Sequence, residues 1–75
     1  SQARPPRLLK VSDEAAVLRV DSFTDGYDRS AVVKAMTEAS AYPMLVIDLR
    51  SNGGGRVDNF IHLLSTLLPR GTEVG

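Results

Sequence analysis

The alternation of apolar and polar positions predicts a β-hairpin at the start of the chain. Residues 7–11 (RLLKV) and 15–20 (AAVLRV) are both strand-like, and the Ser-Asp-Glu cluster at 12–14 suits the turn between them. Both sides of the second run are apolar except at Arg19. This pattern is typical of a strand covered on both faces for most of its length.

A helix and a third strand are predicted next. Residues 28–41 read as a helix with an apolar stripe, and Asp25 or Asp28 is positioned to cap its start. Pro43 favours an end to this helix, because the residue before a proline is pushed out of the α region. The stripe consists of Val32, Ala35, Met36 and Ala39. Residues 44–49 (MLVIDL) are apolar except for Asp48, which predicts a buried parallel strand.

A second helix is predicted from Val57, and it ends at Pro69 with Gly71 in the C-cap region. Its apolar face consists of Val57, Phe60, Ile61, Leu64 and Leu68, widened by Leu63 and Leu67. Residues 72–75 resemble the start of a further strand. The order β-β-α-β-α predicts the α/β class, with a mainly parallel sheet and right-handed crossovers.

Composition narrows the functional classes. The chain has 75 residues, 43% hydrophobic and 24% charged, with nine basic and nine acidic residues. These values fit a single globular domain or a piece of one. A nucleic-acid partner is not expected, because the chain has no basic stripe with interleaved aromatic residues. The chain lacks cysteine, which excludes disulfides and thiolate zinc sites. No apolar run is long enough for a membrane span, and the first residues lack a signal-peptide pattern.

The stretch DLRSNGGGRVD, residues 48–58, contains the candidate site. Its glycine turn, residues 52–55, is predicted at the carboxyl edge of a sheet and the start of a helix, where open α/β sheets bind ligands. Exposed N–H groups there suit a phosphate or a developing oxyanion. Arg56-Val57 replaces the Lys-Ser/Thr of a P-loop, and the third glycine of the dinucleotide motif is missing. A tight turn that only brings the helix close to the sheet explains the glycines equally well.

Asp48 also has two interpretations. A carboxylate at the end of an apolar run needs partners if it is partly buried, and Arg50 or the N–H groups of the turn are available. Catalytic use requires a base or metal partner, and the sequence offers none. A structural role is therefore the favoured interpretation.

The motifs around this turn resemble those of the tail-specific (C-terminal processing) serine peptidases. The matching stretches are 17–23 (VLRVDSF), 45–55 (LVIDLRSNGGG) and 67–71 (LLPRG), in the same order as in the family. The resemblance implies a crotonase/ClpP-like spiral. Residues 1–14 would form a leading segment and first strand, and residues 15–75 a partial peptidase core.

The resemblance also implies roles for residues of the turn. Backbone N–H groups of Gly54, the first choice, and Gly55, the second, would help to form an oxyanion hole. Asp48, Arg50, Asn52 and Gly53 would support the turn, with Gly53 at a position often held by proline. No metal or cofactor is implied. The expected partners are the C-termini of protein substrates, an upstream PDZ domain is expected, and the location would be exported or membrane-anchored.

The family's nucleophile motif is absent from this sequence. Serine occurs at positions 1, 12, 22, 30, 40, 51 and 65, but none lies in the small-residue motif of the family. Lys10 and Lys34 form no obvious dyad with a serine. His62 falls outside the apolar face of the last helix and is more typical of a solvated surface residue than of a base. We therefore expect a core fragment that is inactive alone, prone to self-association, and undetermined between serine–lysine and serine–histidine chemistry.

Two other functions are compatible with the sequence. A non-catalytic ligand- or peptide-binding module could use the same scaffold. An acyl-CoA hydratase of the crotonase type also uses backbone N–H groups as an oxyanion hole, but the DLRSN sequence before the glycines argues against this class.

Overall fold

A computed structural model describes residues 4–50 and 52–67. Five elements follow in the predicted order: β1 (Arg7–Lys10), β2 (Ala15–Arg19), α1 (Arg29–Ala39), β3 (Met44–Asp48) and α2 (Val57–Leu67). The α/β class and the element order are thus confirmed. The predicted helix end at Pro69 and Gly71 and the strand at 72–75 lie outside the described residues.

The three strands form one mixed sheet in the order β1-β2-β3. β1 and β2 are the predicted antiparallel hairpin, with Leu8 opposite Leu18. β3 runs parallel to β2 and places Ile47 beside Leu18. Within the described residues one strand pair is therefore antiparallel and one is parallel, so the sheet is mixed rather than mainly parallel.

The hydrophobic core lies on one face of this sheet. Alternate β2 residues, Ala16 and Leu18, are fully buried, followed by Val20 just after the strand. Leu18 and Val20 pack with Val32 of α1 and Leu63 of α2, so both helices cover the same side. Burial of this apolar surface is the main favourable contribution to folding.

Neither described helix packs against the opposite sheet face, which is called here the uncovered sheet face. The strand register brings four apolar residues together on it: Leu9, Val17, Met44 and Val46. Met44 is 59% exposed and Val46 is 47% exposed. The prediction that β3 is buried is therefore wrong, whereas the β2 residues on this face are partly buried. An apolar run does not by itself reveal whether a second layer covers the sheet.

α1 forms as its sequence predicts. The Asp28 carboxylate caps the helix by accepting hydrogen bonds from the N–H groups of Ser30 at 2.9 Å and Ala31 at 3.2 Å. Such a cap satisfies N–H groups that have no partner within the helix. The buried residues are the four of the predicted stripe: Val32, Ala35, Met36 and Ala39.

α2 begins at Val57, as predicted, but buries a different face from the predicted one. Val57 is 70% exposed and Ile61 is 57% exposed, whereas Leu63 is buried and Leu67 packs against the core. The prediction that the face containing Val57 and Ile61 is buried is therefore wrong. Apolar residues extend around most of this helix, so helical periodicity could not identify which side meets the sheet.

Candidate functional site: the glycine turn

The glycine turn follows β3 and leads into the first residue of α2. Asn52 donates its backbone N–H to the Leu49 carbonyl at 2.9 Å, which bends the chain after the strand. Gly54 and Gly55 have φ angles of 107° and 135°, values that side-chain-bearing residues rarely adopt. Glycine at these two positions is thus required by the backbone path. The sequence prediction placed the turn correctly between a strand and a helix.

The turn pairs with the segment that follows β2, residues 20–24. The Phe23 N–H donates to the Gly54 carbonyl at 3.0 Å, and the Arg56 N–H donates to the Phe23 carbonyl at 3.3 Å. These bonds form a parallel bridge between Phe23 and Gly55. The turn is therefore held against the end of β2 by backbone hydrogen bonds.

This pairing sets the direction of the Gly55 N–H. The Gly54 carbonyl and the Gly55 N–H belong to one peptide group, and no cis peptide bond occurs among the described residues. In a planar trans peptide these two groups point in opposite directions. Because the Gly54 carbonyl faces Phe23, the Gly55 N–H points away from segment 20–24. Among the described residues it has no hydrogen-bond acceptor.

The Gly54 N–H is already bonded. It donates to Asn52 Oδ1 at 2.7 Å, and Asn52 Nδ2 donates to the Val20 carbonyl at 3.1 Å. A side-chain oxygen that accepts from the N–H two residues later is the Asx turn to which asparagine is suited. The Asn52 side chain thus links the Gly54 N–H to the segment that follows β2. Gly53 has no atom within 4 Å of the position that a Cβ would occupy.

A second asparagine, Asn59 of α2, was missed by sequence reasoning. Its Nδ2 donates to the Phe23 carbonyl at 2.7 Å, and its Oδ1 accepts from Arg29 Nε at 3.1 Å. These contacts join α2, α1 and segment 20–24. An asparagine on a helix has no local sequence signature for such a contact, because its partners are about 30 residues away in the chain.

Asp48 at the end of β3 is an ion-pair centre. Arg50 donates to it from the backbone N–H at 3.0 Å and from Nε and Nη2 at 3.1 Å each. Arg19 Nε donates to Oδ2 at 3.3 Å across the parallel strand pair. These hydrogen bonds hold the pKa of the Asp48 carboxyl well below its usual range, and those from Arg50 have the largest effect. The sequence singled out Arg50 as a partner of Asp48 but not Arg19.

His62 is only partly exposed and bonds to an aromatic partner. Its Nδ1 lies 2.9 Å from the Tyr27 hydroxyl oxygen, and the two rings meet edge to face. Burial raises the pKa of the Tyr27 hydroxyl, and the Arg29 guanidinium acts in the opposite direction. His62 is therefore less exposed than the solvated surface residue that the sequence predicted. Ser65 donates to the His62 backbone carbonyl at 2.6 Å, not to its ring.

No nucleophile–base pair is formed within residues 4–50 and 52–67. In this part of the chain no serine hydroxyl is hydrogen-bonded to a lysine or histidine side chain. The same residues contain no group of three or more acidic or histidine side chains arranged for a metal ion. Neither of their two helices is long and apolar enough to cross a bilayer. Ser51 lies outside the described residues.

A shallow cavity lies beside this edge of the sheet. Its volume is about 260 Å³, and it lies along the middle of β2, the second half of β3 and the two residues that follow β3. The lining combines an apolar floor with one ion pair: Val17, Val46, Ile47, Leu49, Asp48 and Arg50. The candidate site therefore consists of three parts. They are the hydrogen-bonded glycine turn, the Gly55 N–H that points away from segment 20–24, and the groove lined in part by Asp48 and Arg50.

The fold defines an α/β protein with a mixed sheet, and its glycine turn lies at the carboxyl end of a parallel strand. A model of Peptidase family S41 matches residues 14–75, and the chain belongs to this family. The match contains β2, both helices, β3 and the glycine turn. The search of curated proteins and the search of solved structures each found no match.

Proposed function

We propose that this chain forms part of the catalytic core of a serine endopeptidase that acts near the C-termini of proteins. Its contribution is an oxyanion-hole donor from the glycine turn. Family membership supports the peptidase class. The observation that carries the specific role is the Gly55 N–H, which points away from segment 20–24 and has no acceptor among the described residues.

The chemistry needs such a donor. Attack on a peptide carbonyl places negative charge on its oxygen, and a fixed N–H at hydrogen-bond distance stabilises this charge in the transition state. Gly55 lies two residues before the start of α2, where the helix dipole also favours negative charge. We propose Gly55 as the principal donor. Gly54, the first choice from sequence, can contribute only when its bond to Asn52 opens.

The nucleophile and its base belong, in this proposal, to parts of the protein outside the described residues. The described serines bond to nearby backbone groups or lack a basic partner, as set out above. The 75-residue chain alone is therefore expected to be inactive. A PDZ domain upstream and an exported or membrane-anchored location remain predictions that follow from the family resemblance.

The test uses the complete protein with any residues that flank this chain. Cleavage of unstructured peptides is measured for the wild type and for a form in which glycolate replaces Gly55. This replacement exchanges the N–H for an ester oxygen and keeps the backbone shape. Loss of one oxyanion donor lowers kcat by about 100-fold or more, and we expect a loss of that order with little change in KM.

The same replacement at Gly53 is the matched control, and a much smaller loss of kcat is expected there. Full activity of the glycolate form at position 55 would exclude the Gly55 N–H as a donor. A complete protein that cleaves no peptide under any condition would contradict the peptidase function itself.

A binding module on the same scaffold is the second candidate, and the groove beside Asp48 favours it. An apolar floor next to charged groups is typical of sites that orient a small ligand or peptide end. If binding is the function, the complete protein should bind peptides with free carboxyl ends without cleaving them. NMR shifts of the Val17 and Val46 methyl groups would report this binding, and amidated peptides are the control.

A further inference from the structure

We infer that Asn52 is a positioning residue that fixes the direction of the Gly55 N–H. This inference rests on the proposed oxyanion role of the glycine turn. It assigns a catalytic consequence to a side chain that does not touch the reacting atoms, because Asn52 bonds only to Val20 and Gly54 among its described side-chain contacts.

The two bonds of Asn52 connect the turn to the rigid part of the fold. Nδ2 donates to the Val20 carbonyl, and Val20 is fully buried in the core. The Val20 N–H in turn donates to the Asp48 carbonyl at 3.1 Å, continuing the β2–β3 pairing. The carboxamide of Asn52 is therefore bonded to a residue that is itself held to the sheet.

The other bond fixes the peptide plane before Gly54. The Gly54 N–H belongs to the peptide group of residues 53–54, and its 2.7 Å bond to Oδ1 holds this plane. The bond from the Phe23 N–H to the Gly54 carbonyl holds the next plane, which contains the Gly55 N–H. With both planes held, the φ and ψ angles of Gly54 are restrained.

Glycine makes this restraint necessary. A glycine moves easily between positive and negative φ, so three in succession form a flexible segment unless hydrogen bonds restrain it. Without Asn52 the peptide plane before Gly54 is no longer held, so the plane that contains the Gly55 N–H is restrained only by the bonds to Phe23 and can tilt about the backbone bonds of Gly54. The direction of the Gly55 N–H then varies over a wider range. A misplacement of about 1 Å in a catalytic group can lower the rate by about 100-fold.

The bond from the Gly54 N–H to Asn52 Oδ1 has a second interpretation. In it, Asn52 occupies the Gly54 N–H and so prevents this group from stabilising the oxyanion. In that case removal of the carboxamide would free a second N–H and raise kcat. The positioning role predicts the opposite sign. The direction of the change in kcat therefore separates the two.

The experiment compares Asn52→Ala and Asn52→Ser with the wild-type complete protein in the peptide cleavage assay. For Asn52→Ala we expect kcat to fall by about 10- to 100-fold with KM nearly unchanged, because the donor acts on the transition state. Asn52→Ser retains a side-chain oxygen that can accept from the Gly54 N–H. It should recover a large part of kcat although its bond to Val20 is lost.

Ser12→Ala is the control for loss of a turn bond at the other end of the sheet. Ser12 Oγ accepts from the Glu14 N–H at 3.2 Å, the same two-residue spacing as Asn52 and Gly54. Its kcat should stay at the wild-type value. A second readout is amide hydrogen exchange, which should become faster at Gly54 in Asn52→Ala, because the Gly54 N–H loses its acceptor.

The outcomes are distinct. If the wild type cleaves peptides and Asn52→Ala has unchanged or raised kcat, the positioning role is wrong while the peptidase function stands. If the wild type itself cleaves nothing, the proposed function fails, and the exchange rates alone then decide whether Asn52 orders the turn. Should Asn52→Ala fail to fold, Asn52→Ser gives the same decision: wild-type exchange at Gly54 with lost kcat would overturn the inference.

Discussion

Gly55 lies against Thr24 so closely that no side chain fits between them. A Cβ atom at position 55 would come within 2.8 Å of the Thr24 backbone nitrogen and 2.7 Å of the Phe23 carbonyl carbon. These backbone atoms belong to the segment that is hydrogen-bonded to the turn, so moving them away would disrupt the bridge between Phe23 and Gly55. The third glycine of the turn is thus required by close packing as well as by its φ of 135°.

Gly55→Ala should therefore destabilise the fold. A strained φ alone costs about 1–3 kcal/mol, and the clash with segment 20–24 adds to it. Urea denaturation of the two proteins measures the difference in the free energy of unfolding. Gly53→Ala is the matched control, because Gly53 has open space around it and no positive φ. It should be neutral or stabilising by up to about 1 kcal/mol. Equal stabilities of the two variants would contradict the close approach at position 55.

The Asp48 ion-pair centre predicts a particular pH dependence. Hydrogen bonds from Arg50 and Arg19 lower the pKa of Asp48 in the folded state. Its stabilising contribution is therefore complete above the unfolded-state pKa of about 3.9 and is lost as the pH falls below that value. Asp48→Asn should be less stable than the wild type at pH 7, and its stability should fall less steeply between about pH 4 and pH 2.

Urea unfolding at pH 7, 4 and 2.5 tests this prediction. Some pH dependence should persist in the variant, because Arg56 also lowers the pKa of Asp58. Identical slopes for wild type and Asp48→Asn would show that the Asp48 contacts do not contribute to stability.

The bond between Tyr27 and His62 predicts an energetic coupling. Tyr27→Phe retains ring packing against Phe23, at a centroid distance of 5.8 Å, and removes only the hydroxyl. A typical intramolecular hydrogen bond contributes about 0.5–1.5 kcal/mol, and we expect a loss in that range. A double-mutant cycle with His62→Ala isolates the pairwise contribution. A coupling energy near zero would mean that the 2.9 Å contact adds nothing to stability.

The uncovered sheet face predicts self-association of the chain. Apolar residues exposed side by side on a sheet are typical of surfaces that bind another protein layer. Val46→Lys, in the middle of β3 on this face, should lower the association constant measured by sedimentation over a range of concentrations. Val33→Lys on α1 is the control, because Val33 is also about half exposed but lies away from the sheet. A wild-type chain that stays monomeric at all concentrations would contradict this prediction.

Much of the fold followed from local patterns. The hairpin, the start of α2 and the four buried residues of α1 were predicted correctly, because these features depend on neighbours within a few residues. The N-cap is an example, since Asp28 bonds only to the next helical turn. The family motif also located the glycine turn between a strand and a helix. For these elements the sequence alone was sufficient.

The contacts that define the candidate site were not predictable in the same way. Asn52 bonds to a residue 32 positions away and Asn59 to one 36 positions away. The burial of α2 depended on which of several apolar sides met Phe23 and the sheet. The sequence by itself determined the elements, their order and the place of the turn, because propensity and capping act locally. Only the tertiary structure decided which N–H groups of the turn are bonded and which sheet face is covered, because those depend on segments that meet only after the chain has folded.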